Sequence, residues 1–254
     1  MQTVLYDGTF EGWLCAVFDV YDYKFKDVDI VARDRFGGNL FEQVHEARMD
    51  RSHSERLWTG LQKKLTPEAT GALYRCFLSE IDGIANTLLQ YVQHVFSHEA
   101  SVEEDFSHPA VLTVTQVARK VWREQHRMEA FVRFKKTADG LYYALVEPDH
   151  DVLPLIVKHF ESRYADQQWV IYDGRRRYGL HYNGFRTEPV EIQFSEEVAT
   201  DGVAAVFDPE EAFYQQLWKQ YFHSVNIPAR KNTKLQLQHM PKRYWKYLVE
   251  QQPR

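Results

Sequence analysis

Glu147-Pro148-Asp149-His150-Asp151 places three carboxylates and an imidazole within five residues. Alternating apolar residues before it and helical spacing after it put this knot at a strand-to-helix junction. There, Asp149, His150 and Asp151 could hold a divalent metal, or with Glu147 position a water for hydrolysis. The same residue types also start helices. Asp149 or Asp151 makes a good N-cap, acids favour a helix N-terminus, and Pro154 suits a first turn. The spacing alone leaves both readings open.

Opposite chemistry gathers near the end of the chain. From Ala212 to Val249 there is no Asp or Glu, while Lys219, Arg230, Lys231, Lys234, Lys242, Arg243 and Lys246 are all present. This window carries +7 with His neutral. The whole chain carries −5, so the remaining residues carry −12. Rings alternate with the cations, among them Trp218, Tyr244, Trp245 and Tyr247. Cations interleaved with flat rings on an acidic body favour a nucleic-acid partner. The alternatives are a solvated basic face, an acidic partner protein, or docking on this chain's own acidic remainder. Two smaller clusters join the candidates. Arg175-Arg176-Arg177 follows the turn pair Asp173-Gly174 and could grip phosphates as planar forks. His126-Arg127 stands where a long helix meets the first sheet strand and could face a groove shared with Tyr244 and Trp245.

The elements that must position these residues follow from periodicity. Thr3 to Tyr6 reads as a strand. Thr9 caps a helix whose apolar positions run from Phe10 to Tyr21, and residues 23–40 read as strand and loop. Arg51 to Leu65 is a polar helix. Thr66-Pro67-Glu68 opens a helix whose stripe continues from Leu73 through Ile81 to Val95. Ser107-His108-Pro109 opens another, with Val111, Val114, Val117, Val121, Trp122 and Met128 on its apolar face. Strands are then expected at 131–134, 141–146, 169–172, 178–182 and 190–194, with one helix over 151–164. Asp208-Pro209-Glu210-Glu211 opens a C-terminal helical region that Pro228 and Pro241 divide. The expected class is α+β: a helical half, a small antiparallel sheet in a β-β-α-β-β-β block, and a C-terminal helical region. One compact unit over 1–254 is expected, with sub-regions 1–130, 131–200 and 201–254. The early strand and helix are free to join the later sheet.

Composition narrows the function classes. Two cysteines, Cys15 and Cys76, exclude a disulfide framework and a four-cysteine zinc site. They also exclude a three-cysteine iron–sulfur cluster. The chain has no Gly-rich phosphate loop, no dinucleotide fingerprint and no Gly-x-Ser-x-Gly elbow, so no cofactor is predicted. No apolar run approaches the ~20 residues that cross a bilayer, and the N-terminus lacks signal-peptide features; a cytoplasmic protein is expected.

Six ordered blocks carry a family resemblance: residues 6–12 (Tyr-Asp-Gly-Thr-Phe-Glu-Gly), 126–134 (His-Arg-Met-Glu-Ala-Phe-Val-Arg-Phe), 147–154, 165–169, 227–230 (Ile-Pro-Ala-Arg) and 239–245 (His-Met-Pro-Lys-Arg-Tyr-Trp). In them the chain resembles an uncharacterised bacterial family of DNA metabolism proteins. That family is encoded beside a DNA-modification or repair protein of the radical-SAM type, and its domain also occurs fused to a uracil-DNA glycosylase-like domain. The resemblance implies a DNA-repair setting and a radical-SAM partner, and it leaves open an association with a glycosylase-like protein. It assigns no catalytic residue. Three functions remain in view: a nucleic-acid-binding accessory protein, a metal-dependent nuclease or other hydrolase built on residues 147–151, and a protein-interaction module.

Overall fold

A computed structural model describes residues 2–38, 43–191, 208–225 and 233–251. The chain is α+β, and its contacts divide it into two units, Met1–Trp122 and Arg123–Arg254.

The first unit opens with β1 (Gln2–Tyr6), α1 (Phe10–Asp22) and β2 (Val28–Ala32). The Thr9 hydroxyl accepts the Gly12 amide at 2.9 Å, as its capping role requires. β1 lies between β2 and β3 (Gln43–Glu46), and both pairings are parallel. The early strand therefore belongs to its own sheet rather than the later one: α1 is a crossover that returns the chain to lie beside β1 in the same direction. α2 (Arg51–Lys64), α3 (Pro67–Phe77) and α4 (Ile84–Ser97) complete this unit together with the first part of α5 (Pro109–Phe131). Trp13, Ile30, Leu61, Leu73 and Leu88 are fully buried in its core. Cys15 and Cys76 are buried there too, and burial pushes the Cys76 thiol up to about 12, so both are packing thiols.

The stripe from Leu73 to Val95 is two helices, not one. Glu80 has φ +53° and Gly83 φ +77°, so the backbone turns left-handed between α3 and α4, and Ile81 is exposed. A Cβ at Gly83 would meet nothing within 4 Å, so only backbone strain opposes a side chain there. Gly83→Ala is expected to cost about 1 kcal/mol in urea unfolding. An unchanged midpoint would show that this turn relaxes freely.

The second unit contains a five-stranded sheet, β4 (Lys135–Lys136), β5 (Tyr142–Val146), β6 (Trp169–Asp173), β7 (Tyr178–Tyr182) and β8 (Thr187–Val190), in that spatial order. Its turns fall where Asp139-Gly140, Asp173-Gly174 and Asn183-Gly184 place them. Three details differ from expectation. The sheet is mixed, because β5 and β6 pair in parallel; α6 (Leu153–Arg163) lies between them and carries the chain back to the same end. α5 continues through Phe131, so residues 131–134 are not a strand and β4 is only two residues long. β8 starts at Thr187, and positions 192–194 of the expected last strand lie outside the described residues. Among the core side chains, Trp169, Phe160, Ile156 and Ile171 are fully buried between α6 and the sheet.

α7 (Glu211–Val225) and α8 (Thr233–His239) follow, then a 3₁₀ segment, Lys242–Tyr247, and a final turn, Val249–Gln251. The start of α7 is tied to the edge strand β4. Asp208 donates its amide to the Lys136 carbonyl at 2.9 Å, and the Glu211 carboxylate accepts the Lys136 amide at 2.9 Å. These bonds occupy a sheet edge that would otherwise be exposed.

Candidate phosphate-binding cleft

The centre of the site is a residue that motif reading passed over. Glu124 stands on the buried stripe of α5, four residues before Met128 and three after Val121, and is 2% exposed. Trp122, expected on that stripe, is instead exposed. Glu124 is surrounded by donors. The Asp149 amide donates to one carboxylate oxygen at 2.9 Å and the His150 amide to the other at 2.8 Å. The Tyr244 hydroxyl donates at 2.5 Å and the Arg243 guanidinium at 3.1 Å. Burial works against this charge, but the Tyr244 hydroxyl and the two amides outweigh it, so the Glu124 pKa lies below its ordinary value. An acid at helical spacing on an apolar face was the one sequence signal that could have found it.

Glu124 thus joins the 147–151 knot to the C-terminal basic segment. The pairing continues outward. Arg243 reaches the Asp149 carboxylate at 2.8 Å and stacks over the Tyr244 ring at 4.6 Å. Lys246 pairs with Glu147. From the sheet side comes the β6–β7 hairpin. Asp173, completely buried, accepts the amides of Arg175 at 2.8 Å and Arg176 at 3.1 Å, and its other oxygen accepts the Arg176 guanidinium at 2.7 Å. Arg176 also donates to the carbonyls of Pro148 at 3.2 Å and Asp149 at 3.1 Å. It fastens the hairpin to the knot and is not placed to grip a ligand. Arg175 is exposed, 3.3 Å from the Asp149 carbonyl and 4.0 Å from its carboxylate.

The result is a cleft of about 570 Å³ lined by Glu147, Asp149, Arg175, Lys242, Arg243 and Lys246. Four cations against two carboxylates leave its lining at +2. Lys242 is exposed and makes no ion pair among the described residues.

Not every candidate comes here. Asp151 accepts the Tyr178 hydroxyl, and the Trp245 indole caps the Met240 carbonyl at 3.0 Å. His126 is exposed on α5 beside Glu129, and Arg127 donates to the Gln238 carbonyl at 3.1 Å. Arg177 is exposed in the hairpin turn with φ +60°. Among the described residues no group of three His, Cys, Asp or Glu could hold a metal ion. Glu147, Asp149 and Asp151 face three different partners, so the knot does not converge as a metal site would. Arg230 and Lys231 lie outside the described residues, as does the Lys234 side chain.

These features define an α+β protein whose second unit builds a cationic cleft around a buried carboxylate. The model of a domain of unknown function, DUF4130, matches residues 82–250, and the chain belongs to that family. The match contains every residue of the cleft and leaves β1, α1, β2, β3, α2 and α3 outside. A comparison with curated proteins found no match. No helix among the described residues is long and apolar enough to cross a membrane.

Proposed function

We propose that this chain is an accessory protein of DNA metabolism that binds the phosphate backbone of nucleic acid in the 147–246 cleft and acts beside a radical-SAM partner that carries the chemistry. The observation behind this reading is the cleft lining, where four cations outnumber two carboxylates and Arg175 and Lys242 stand exposed. Asp149 fits the reading as a built-in competitor. Its half-exposed carboxylate sits on Arg243 and near Arg175 as a phosphate oxygen would. The acid-free segment and the resemblance to DNA metabolism proteins support the same partner. The radical-SAM association rests on the resemblance alone. No arrangement among the described residues favours the nuclease reading over this one.

Arg243 is a poor probe, because removing it also strips a partner from Glu124. Arg175→Ala with Lys242→Ala is the cleaner variant. In a salt titration of DNA affinity, each lost phosphate contact is expected to lower the log–log slope by about one. Asp149→Ala is expected to act in the opposite direction and tighten binding. A slope unchanged in the double variant would remove the cleft from the interface.

A further inference from the structure

We propose that a second concavity in the Arg123–Arg254 unit is a pocket for a nucleobase. Its volume is about 540 Å³, within the range of small-ligand sites. Six rings stand on its wall: Phe134, Tyr142, Tyr164, Trp169, Tyr214 and Trp218. Several already pack as aromatic pairs. Phe134 meets Tyr164 edge-on at 5.3 Å, and Trp169 stacks on Tyr182 at 5.4 Å. A flat heterocycle suits such walls by face and by edge.

Polar atoms sharpen the ligand class. The Trp169 indole N–H is buried in a side chain only 1% exposed, and no partner meets it among the described residues. The Arg133 Nε is in the same condition. The rest of that guanidinium is engaged, with Nη1 on the carbonyls of Ala130 at 2.8 Å and Val132 at 3.2 Å, and Nη2 on Glu250 at 2.9 Å. Two buried donors that meet no acceptor among the described residues call for acceptors. An apolar ligand would leave them unmet, and a bare anion would not use the rings. A nitrogen heterocycle with carbonyl or ring-nitrogen acceptors answers both.

The wall is also held in place beforehand. The Glu250 carboxylate, almost completely buried, accepts the Arg133 guanidinium and the Trp218 indole at 2.9 Å each. Arg133 lies over the Trp218 ring at 5.7 Å. Arg163, exposed, is also on the lining and supplies a cation for a phosphate attached to the base, while the Glu211 carboxylate on the same lining is already engaged by the Lys136 amide. None of these residues lines the first cleft, so the two proposals fail separately.

The base could belong to a free mononucleotide or to a strand. Calorimetric titration of the full chain with uridine monophosphate, adenosine monophosphate and a short oligothymidylate separates these sources. Saturable binding is expected with at least one probe, and which one responds identifies the source. Trp169→Phe keeps a ring and removes the N–H, and is expected to weaken binding about tenfold. Trp169 is a core residue, so Tyr214→Ala, on the exposed face of α7, is the second variant and is expected to weaken binding several-fold. Mononucleotide binding is expected to survive Arg175→Ala with Lys242→Ala. The pocket assignment is overturned if no probe binds saturably, or if binding is unchanged in both ring variants.

Discussion

Replacing Glu124 with Ala is expected to remove about 3–5 kcal/mol of folding stability, because it deletes the acceptor on which four donors converge. The Tyr244 hydroxyl is buried with it, in a ring only 2% exposed. The Asp149 and His150 amides lose their acceptors as well. Arg243 suffers less, since Asp149 still neutralises it. Glu124→Gln is the sharper variant. It keeps the shape but turns one acceptor oxygen into an N–H donor aimed at other donors, so a loss of about 2–3 kcal/mol is expected. Urea unfolding measures both, and a loss below about 1 kcal/mol for Glu124→Ala would show that the cleft does not depend on this carboxylate.

The same residue predicts a pH dependence. The folded pKa of Glu124 lies below its ordinary value of 4.5, since the Tyr244 hydroxyl and the two amides outweigh the effect of burial. Its ionised form therefore contributes stability fully present above about pH 4.5. That contribution is lost as the pH falls below 4.5 and through the lowered folded value. Glu250 shifts in the same direction, where its own backbone amide and Arg133 overcome burial. The acid limb of a stability–pH curve should accordingly be shallower in Glu124→Gln than in the parent chain. Superimposable limbs would contradict the assignment.

Asp173→Ala is the second large effect, about 3–4 kcal/mol. The Arg176 side chain is only 11% exposed, and the variant removes the fully buried carboxylate that this guanidinium meets at 2.7 Å. It also frees the two turn amides that Asp173 accepts. Asp173→Asn retains an acceptor for those amides and should lose about half as much. A double-mutant cycle between Asp173 and Arg176 isolates the pair, with an expected coupling above about 1 kcal/mol. Additive single effects would mean that the turn, not the ion pair, carries the stability. Arg176 also holds the carbonyls of Pro148 and Asp149, so loss of the pair should loosen the cleft wall and weaken the proposed DNA binding although the Lys242 and Arg175 side chains are both retained.

Much of the architecture was legible residue by residue. Thr9 and Thr66-Pro67 start helices because their side chains and ring geometry satisfy first-turn requirements locally. The glycines of Asp139-Gly140 and Asn183-Gly184 have φ of +88° and +92°, a conformation the residue type itself permits. The parallel β5–β6 pair was less legible, because alternation marks a strand without saying which neighbour it takes or in which direction. Nor did an apolar stripe reveal the left-handed break between α3 and α4, since the helical period resumes after Gly83.

The contrast is greatest in the charges. The sequence alone established an acid-free, aromatic-rich segment of +7 against a remainder of −12, and its periodicity placed the 147–151 knot at a strand-to-helix junction. It left open whether these two groups turn toward a ligand or toward each other. The tertiary structure decided this in part for each. Arg243 and Lys246 answer Glu124, Asp149 and Glu147, while Arg175 and Lys242 remain exposed at the rim. The reason is physical. Local spacing encodes which face of an element a side chain occupies, whereas an ion pair between Glu124 and Arg243, 119 positions apart, exists only once packing has buried one partner and brought the other to it.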